Sequence, residues 1–237
     1  MPAKKWLIGA FFISLVVFVV VTLPASFVLG RLNGLQLGSG RLSIESVGGS
    51  IWHGQTHWRW SSLSGDLLWQ LKWQGLSPGV EVAVSGPLTL SGWVGGWSNA
   101  LSLRDANLHL SGTFVSSLQP QLKFAGDIYA KNVSLKFRDK ALTDAAGQFT
   151  YTGGLGSWAG QKQVMVPALN GELIQKDDGP SLLVKSESGT ALGLLGVSEN
   201  IGSIAVYRAW AGELGLSRGG DDADVIFETS LPLWQKP

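Results

Sequence analysis

Two histidines, His53 and His57, have the residue type and spacing that metal binding could use, because imidazoles four residues apart share one face of a helix. On a strand the same separation is about 13 Å at roughly 3.3 Å per residue, too far for one ion with ligand bonds of about 2 Å. Trp58 and Trp60 lie at even positions and both histidines at odd positions, so on a strand the two kinds of residue would face opposite sides. We therefore expect a strand with the histidines on its polar face, and no metal site.

Other chemical motifs in the sequence are incomplete. The segment GLSPG, residues 75–79, matches the serine hydrolase pattern, but Pro78 follows the serine and has no N–H for an oxyanion hole. The acidic residues Asp221, Asp222 and Asp224 lack the spaced oxygens and closing glutamate of a calcium loop. A turn explains each segment more simply. We expect no catalytic residues, no cofactor and no enzyme.

The composition excludes several further classes of function. The chain has no cysteine, so disulfides, thiol catalysis and cysteine zinc sites are excluded. Its net charge is +1, and residues 31–237 alone carry 16 Lys+Arg against 17 Asp+Glu. Nucleic-acid binding normally needs a clustered basic surface, so nucleic acid is not an expected partner.

The elements that position these residues are strands. Apolar and polar residues alternate through "GDLLWQLKWQG" (65–75) and "GVEVAVSG" (79–86), and short runs of the same period continue to Val225 and Phe227. Glycine, Asn, Asp and Pro turns separate them. The pattern predicts an all-β domain with a mostly antiparallel, curved sheet. Only residues 140–146 and 191–199 suggest short helices.

The tryptophans share one side of the predicted strands. Exposed rings could stack on sugars or bind a partner, but rings on the apolar side of adjacent strands would fill a core and set the pairing register. We expect the second arrangement, a structural cluster that could also serve as a partner surface, made by Trp52, Trp58, Trp60, Trp69 and Trp73.

The first thirty residues predict a membrane anchor. Residues 6–30 are uncharged and lie between Lys5 and Arg31. As a helix they would extend roughly 37 Å, enough to cross a hydrocarbon core of about 30 Å. Lys4 and Lys5 place the amino terminus in the cytoplasm by the positive-inside rule. The predicted organisation is a cytoplasmic tail at 1–5, a transmembrane signal-anchor helix at 6–30 and a periplasmic β-rich domain at 31–237.

An anchor ending in "VTLPAS", followed by "SVGGSIWHGQTHWRW" and "GDLLWQLKWQGLSPGVEVAVSG", resembles protein N of the type II secretion system. Its Gly-Ser/Thr-Ile/Leu-Trp-x-Gly turn is matched by Gly49 to Trp52 and Gly54, and its Leu-x-Trp-x-Leu strand by Leu67, Trp69 and Leu71. The resemblance covers residues 1–95 and is weakest around 120–165. It implies an accessory subunit in the bacterial inner membrane, without catalysis, whose periplasmic domain contacts other secretion subunits.

The same anchor-first, strand-rich plan also resembles the AsmA-type group of envelope proteins. That resemblance implies lipid as a partner, and it predicts apolar side chains accessible on the concave side of the sheet. A glycan-binding envelope protein that uses the tryptophans is a third hypothesis, which buried tryptophans would exclude.

Overall fold

The structure is a computed structural model of the 237-residue chain. It describes residues 14–15, 18–19, 21–30, 33–37, 40–97, 99–118, 122–139, 141–158, 163–176, 179–198, 201–214 and 219–232.

Strands make up most of the described chain. The first half contains β1 (Gln36–Leu37), β2 (Gly40–Gly49), β3 (His53–Trp60), β4 (Leu63–Leu71), β5 (Gly79–Ser85), β6 (Leu88–Trp97), β7 (Ala100–Leu110) and β8 (Leu122–Phe124). The second half contains β9 (Ile128–Arg138), β10 (Ala141–Tyr151), β11 (Gly154–Trp158), β12 (Val164–Val166), β13 (Leu169–Lys176), β14 (Gly179–Ser186), β15 (Ala191–Ser198), β16 (Ile201–Tyr207) and β17 (Val225–Pro232).

Fourteen of these strands form one large sheet, in the order β1-β2-β3-β4-β5-β6-β7-β9-β10-β13-β14-β15-β16-β17. Every neighbouring pair is antiparallel. The order follows the chain except where β8, β11 and β12 leave it, because short turns let each strand fold back on the previous one. The predicted all-β class with a mostly antiparallel sheet is confirmed.

The three remaining strands form a small sheet in the order β12-β11-β8. They belong to two segments of the chain, one between β7 and β9 and the other between β10 and β13. Both segments leave the large sheet and return to it at neighbouring positions. The Tyr151 hydroxyl donates a hydrogen bond of 2.7 Å to the carbonyl of Ala125, the residue after β8, and so connects the end of β10 to the small sheet. Burial raises the pKa of Tyr151 above its ordinary value.

Helices are short in the described residues. They are α1 (Ser26–Leu29), α2 (Gly112–Leu118) and α3 (Ala209–Glu213), and residues 14–15, 18–19 and 21–22 are also helical. Within the described part of the chain, no helix reaches the length and apolarity that a bilayer crossing needs. The flanking charges Lys4, Lys5 and Arg31 lie outside the described residues, as does much of the predicted anchor at 6–30.

In the described residues, the strands of the large sheet mainly contact their register partners, and β10 also approaches β14 across β13. One small buried cluster, made by Ala106, Ala130 and Val133, lies near its middle. The chain has an accessible surface of 15554 Å², against roughly 10,300 Å² for a compact monomer of this mass. An extended sheet with few fully buried side chains accounts for a large accessible surface.

Two expected helices are strands. Residues 140–146 fall largely in β10, where Asp144 pairs in register with Lys136 of β9. Residues 191–199 fall largely in β15, which hydrogen-bonds to β14 and β16. Their Ala and Leu content favours helix locally, but pairing on both sides satisfies the backbone and overrides that propensity. The short helices α2 and α3 were not predicted.

Candidate functional site

The two faces of the large sheet differ in the charge that they carry. One row of register-paired residues crosses thirteen strands and joins Val47, Thr56, Leu67, Val84, Leu90, Leu108, Ala130, Phe149, Gly171, Val184, Gly193, Val206 and Phe227. We call it the central row, and the side on which it lies the apolar face. Directly paired residues of antiparallel strands point to the same side, so the row marks one continuous surface. Among the register-paired positions described, this face carries no charged side chain.

The opposite side, the polar face, carries the ion pairs. Their N–O distances run from 2.6 to 3.0 Å and the side chains are at least one-third exposed; the pairs are Arg59–Glu45, Lys72–Glu81, Lys136–Asp144 and Lys185–Glu172. On the same face, the Nδ1 of His57 lies 2.9 Å from Asp66 Oδ1. Exposed pairs of this kind contribute at most about 1 kcal/mol each. They place the charged side chains of the sheet on this side, in contact with solvent.

Three predicted tryptophans lie on the apolar face, and two of them lie opposite glycines. Trp58 is the register partner of Gly65, and Trp69 that of Gly54. The Trp69 Nε1 donates to the carbonyl of Ser50 at 3.1 Å, and the ring of Trp60 packs on Phe114 of α2 at 5.6 Å between centroids. Trp58 and Trp60 are 8% and 3% exposed. These rings fill space within the sheet, so they are poor platforms for a sugar.

The other two tryptophans of the predicted cluster lie outside the strands. Trp52 is half-buried in the bend before β3, where its carbonyl accepts a hydrogen bond from the N–H of Leu71. Trp73 lies beyond the end of β4 and is 59% exposed, which corrects the expectation that it faces inward. The alternation continues through Trp73 in sequence, but β4 ends at Leu71 because the chain turns at Gln74 and Ser77.

The histidines lie where the alternation predicts them. His53 pairs in register with Gln70, and His57 with Asp66, both on the polar face. The Nδ1 of His57 is 2.9 Å from Asp66 Oδ1, whereas His53 is exposed beside the Ser50 hydroxyl at 3.4 Å. In the part of the chain that the structure describes, no three His, Cys, Asp or Glu side chains come together as metal ligands.

The remaining motifs form turns. Gln74 and Ser77 exchange backbone hydrogen bonds of 3.0 and 3.2 Å, so GLSPG is a tight turn before β5. Asp221 and Asp224 form another turn ahead of β17, and the Asp224 carboxylate is 3.3 Å from Nε of Arg208. Neither segment places a nucleophile beside a base.

One acidic group is electrostatically perturbed. The Nε2 of His109 donates to Asp127 Oδ2 at 3.1 Å, and the N–H of Gly112, at the start of α2, donates to Oδ1 at 3.2 Å. These two hydrogen bonds, the His109 bond first, hold the pKa of Asp127 below its ordinary value of 3.8. His109 also stacks on Tyr129 at 4.5 Å. The arrangement anchors α2 and the loop before β9.

A buried tryptophan that the sequence did not single out lies on the polar face. Trp93 is 2% exposed, and its Nε1 donates to the carbonyl of Lys72 at 2.8 Å. The guanidinium of Arg104 lies 5.0 Å from its ring centroid. Gly79 and Gly95 leave room for the ring, because a Cβ atom at either would overlap it. The sequence signal for this buried ring is the pair of glycines at positions 79 and 95.

Two kinds of depression mark the sheet. The larger, of about 670 Å³, lies mainly on the polar face and includes Gln55, Gln70 and Glu81. Glu81 is already paired with Lys72 at 3.0 Å, so no unpaired charge is offered there. A second cavity, of about 260 Å³, lies between α1 and the apolar face and is lined by Ala25, Val28, Leu29, Ile51, Leu67, Trp69 and Val82.

The two edges of the large sheet are protected differently. At the first edge, backbone groups of β2 are satisfied by the preceding chain: Leu42 exchanges bonds with Gly34 and Leu35, and the carbonyl of Gly49 accepts from Ala25. The Asn33 side chain accepts from the N–H of Ile44. At the last edge, β17 pairs only with β16 among the described strands. Among the residues that the structure describes, the outer side of β17 therefore has no strand partner, and such an edge can act as a template for strand pairing.

Comparisons with protein-family models, curated proteins and solved structures find no match to this chain.

Proposed function

We propose that this chain is a non-enzymatic accessory component of the type II protein secretion machinery of the bacterial inner membrane. In this proposal residues 6–30 are a transmembrane anchor, Lys4 and Lys5 lie in the cytoplasm, and Arg31 lies at the outer end. The curved sheet is then a periplasmic body that contacts other secretion subunits. The resemblance of residues 1–95 to protein N supports the family, and the incomplete chemical motifs are compatible with a structural role.

The observation that carries the assembly role is the open edge at β17. A strand with unpaired N–H and C=O groups is a template for strand addition by a partner. Val225, Ile226 and Phe227 of this strand are 50%, 47% and 55% exposed, so apolar side chains accompany the free backbone. Because β2 is occupied by its own chain, a partner strand would add at β17 and would extend the apolar face by one strand.

Crosslinking tests this contact sharply, because the chain has no cysteine and a single introduced one is unique. Ser230→Cys places a thiol on the exposed polar side of β17, and Ser91→Cys places one at an exposed position of the interior strand β6. With a short thiol-linked photoreactive group on cells that express the machine, we expect adducts with a secretion subunit from position 230 and none from position 91.

Deletion of the gene provides the functional arm of the test. Export of a type II substrate should fall and should return with the wild-type chain. Intact export after deletion, or equal adducts from both cysteine positions, would contradict the proposed role.

A further inference from the structure

We infer that the cavity between α1 and the apolar face binds an acyl chain of a membrane phospholipid. Its helix side is made by Ala25, Val28 and Leu29, and its sheet side includes Leu67 and Val82. The lining has a single side-chain polar atom, Nε1 of Trp69, which already donates to the carbonyl of Ser50. The walls of this partly open cavity are apolar, so a ligand gains nothing from carrying its own polar groups against them.

The position of the cavity favours lipid as the occupant. The helical residues Phe18, Val19 and Val21, which precede α1 in the chain, and Phe27 of α1 are 64%, 52%, 56% and 62% exposed. Acyl chains would surround this segment if it anchors the protein, so the inference rests on the anchoring part of the proposed function, although it does not need the secretion role. The cavity begins where that helix meets the sheet.

The junction is fixed in place by backbone hydrogen bonds. Ile51 donates to the carbonyl of Leu23 at 3.0 Å, and Ala25 donates to that of Gly49 at 3.2 Å. Ala25 is 2% exposed as a result. The cavity is thus a preformed gap between two elements that are tied together, which lowers the entropic cost of filling it.

The continuation of the cavity suits a chain. Leu67 belongs to the central row, so a hydrocarbon that enters at α1 can continue along an uncharged surface towards Val84 and Leu90. A second copy of this sheet would have to lie flat on the same face, where α1 and the α2 residue Phe114 already project. A thin, flexible acyl chain passes between such projections. The geometry therefore favours lipid over a second copy.

Photolabelling of the full chain tests the inference. The protein is reconstituted in vesicles of phosphatidylethanolamine and phosphatidylglycerol that contain a trace of phospholipid with a diazirine at the end of one acyl chain. After irradiation, mass spectrometry maps the adducts. We expect labels on the strand segments 63–71 and 79–85 in addition to the helix.

Adjacent residues of β5 supply a matched pair of variants. Val82→Trp fills the cavity from the apolar face, whereas Ala83→Trp adds the same ring at an exposed position on the polar face. Strand labelling should fall at least tenfold in the first and change less than twofold in the second. Val28→Trp fills the cavity from the helix side, where the residue is 52% exposed, and gives the same loss without altering the sheet.

Three outcomes would overturn the inference. Labels confined to the helix would mean that lipid only surrounds it, and equal strand labelling of Val82→Trp and Ala83→Trp would place lipid elsewhere. Protection of the strands by a co-purified protein would identify a different occupant. Loss of export without loss of labelling leaves the acyl site standing, and labelling with intact export refutes only the secretion role.

Discussion

The indole of Trp69 occupies the space that a side chain at Gly54 would need. The two residues are register partners on β4 and β3, and a Cβ atom at Gly54 would lie 2.9 Å from Cη2 of the ring and closer still to Cζ2. Trp58 covers Gly65 in the same way, four residues further along β3. These pairs let large rings lie flat across the face of the sheet.

Gly54→Ala should destabilise the fold by about 1–3 kcal/mol, because the added methyl group collides with Trp69 and with the carbonyl of Gly48. Chemical denaturation followed by circular dichroism measures the change. The control is Gly48→Ala on the neighbouring strand, where the nearest atom would be 3.8 Å from the new Cβ. It should be neutral or stabilising by up to about 1 kcal/mol. Equal effects would contradict the packing described here.

Replacement of two tryptophans of the predicted cluster should change the free energy of unfolding by very different amounts. Trp60→Ala, at a residue 3% exposed, should lower the free energy of unfolding by about 3–5 kcal/mol, since it leaves a cavity beside Phe114. Trp73→Ala, at a residue 59% exposed, should change it by no more than about 0.5 kcal/mol. Far-ultraviolet circular dichroism is the suitable probe, because both variants alter fluorescence directly. A large loss for Trp73→Ala would show that β4 continues further than Leu71.

The pKa of Asp127 should affect stability at acid pH. Because its folded pKa lies below 3.8, the carboxylate adds stability that is present above that value and is lost as the pH falls through the folded pKa. Carboxyl resonances followed by NMR titration report the pKa directly. His109→Gln, which removes the imidazole bond, should raise the pKa of Asp127 towards its ordinary value. An unchanged pKa in this variant would assign the shift to the hydrogen bonds from Gly112 and Tyr129.

Arg104 should stabilise the polar face through Trp93 more than through its charge. Its guanidinium lies over the indole and its Nη1 donates to Gln74 Oε1 at 3.3 Å. Arg104→Lys keeps the charge but loses the planar stacking group, and should cost about 0.5–1 kcal/mol in thermal or urea denaturation. If Arg104→Lys is neutral while Arg104→Gln is destabilising, charge and not stacking would be the stabilising property.

Period-two alternation by itself determined much of this protein. It identified the strands around Trp69 and Val82, the common side of Trp58 and Trp60, and the polar side of His53 and His57, because side chains on a strand alternate between two faces whatever its partners are. The sequence also indicated that GLSPG contains a turn, since Pro78 has no N–H for a strand ladder.

Tertiary structure decided which strands pair and therefore which surface is continuous. Residues 140–146 and 191–199 have helix-favouring composition and become strands only because a neighbour on each side takes up their backbone groups. The central row exists because bulges and skipped strands keep apolar residues in phase across thirteen strands, a property of pairing register that no local pattern contains. The polar and apolar sides of each strand could be predicted from the amino-acid sequence. The uncharged face that the strands form together follows from long-range register alone.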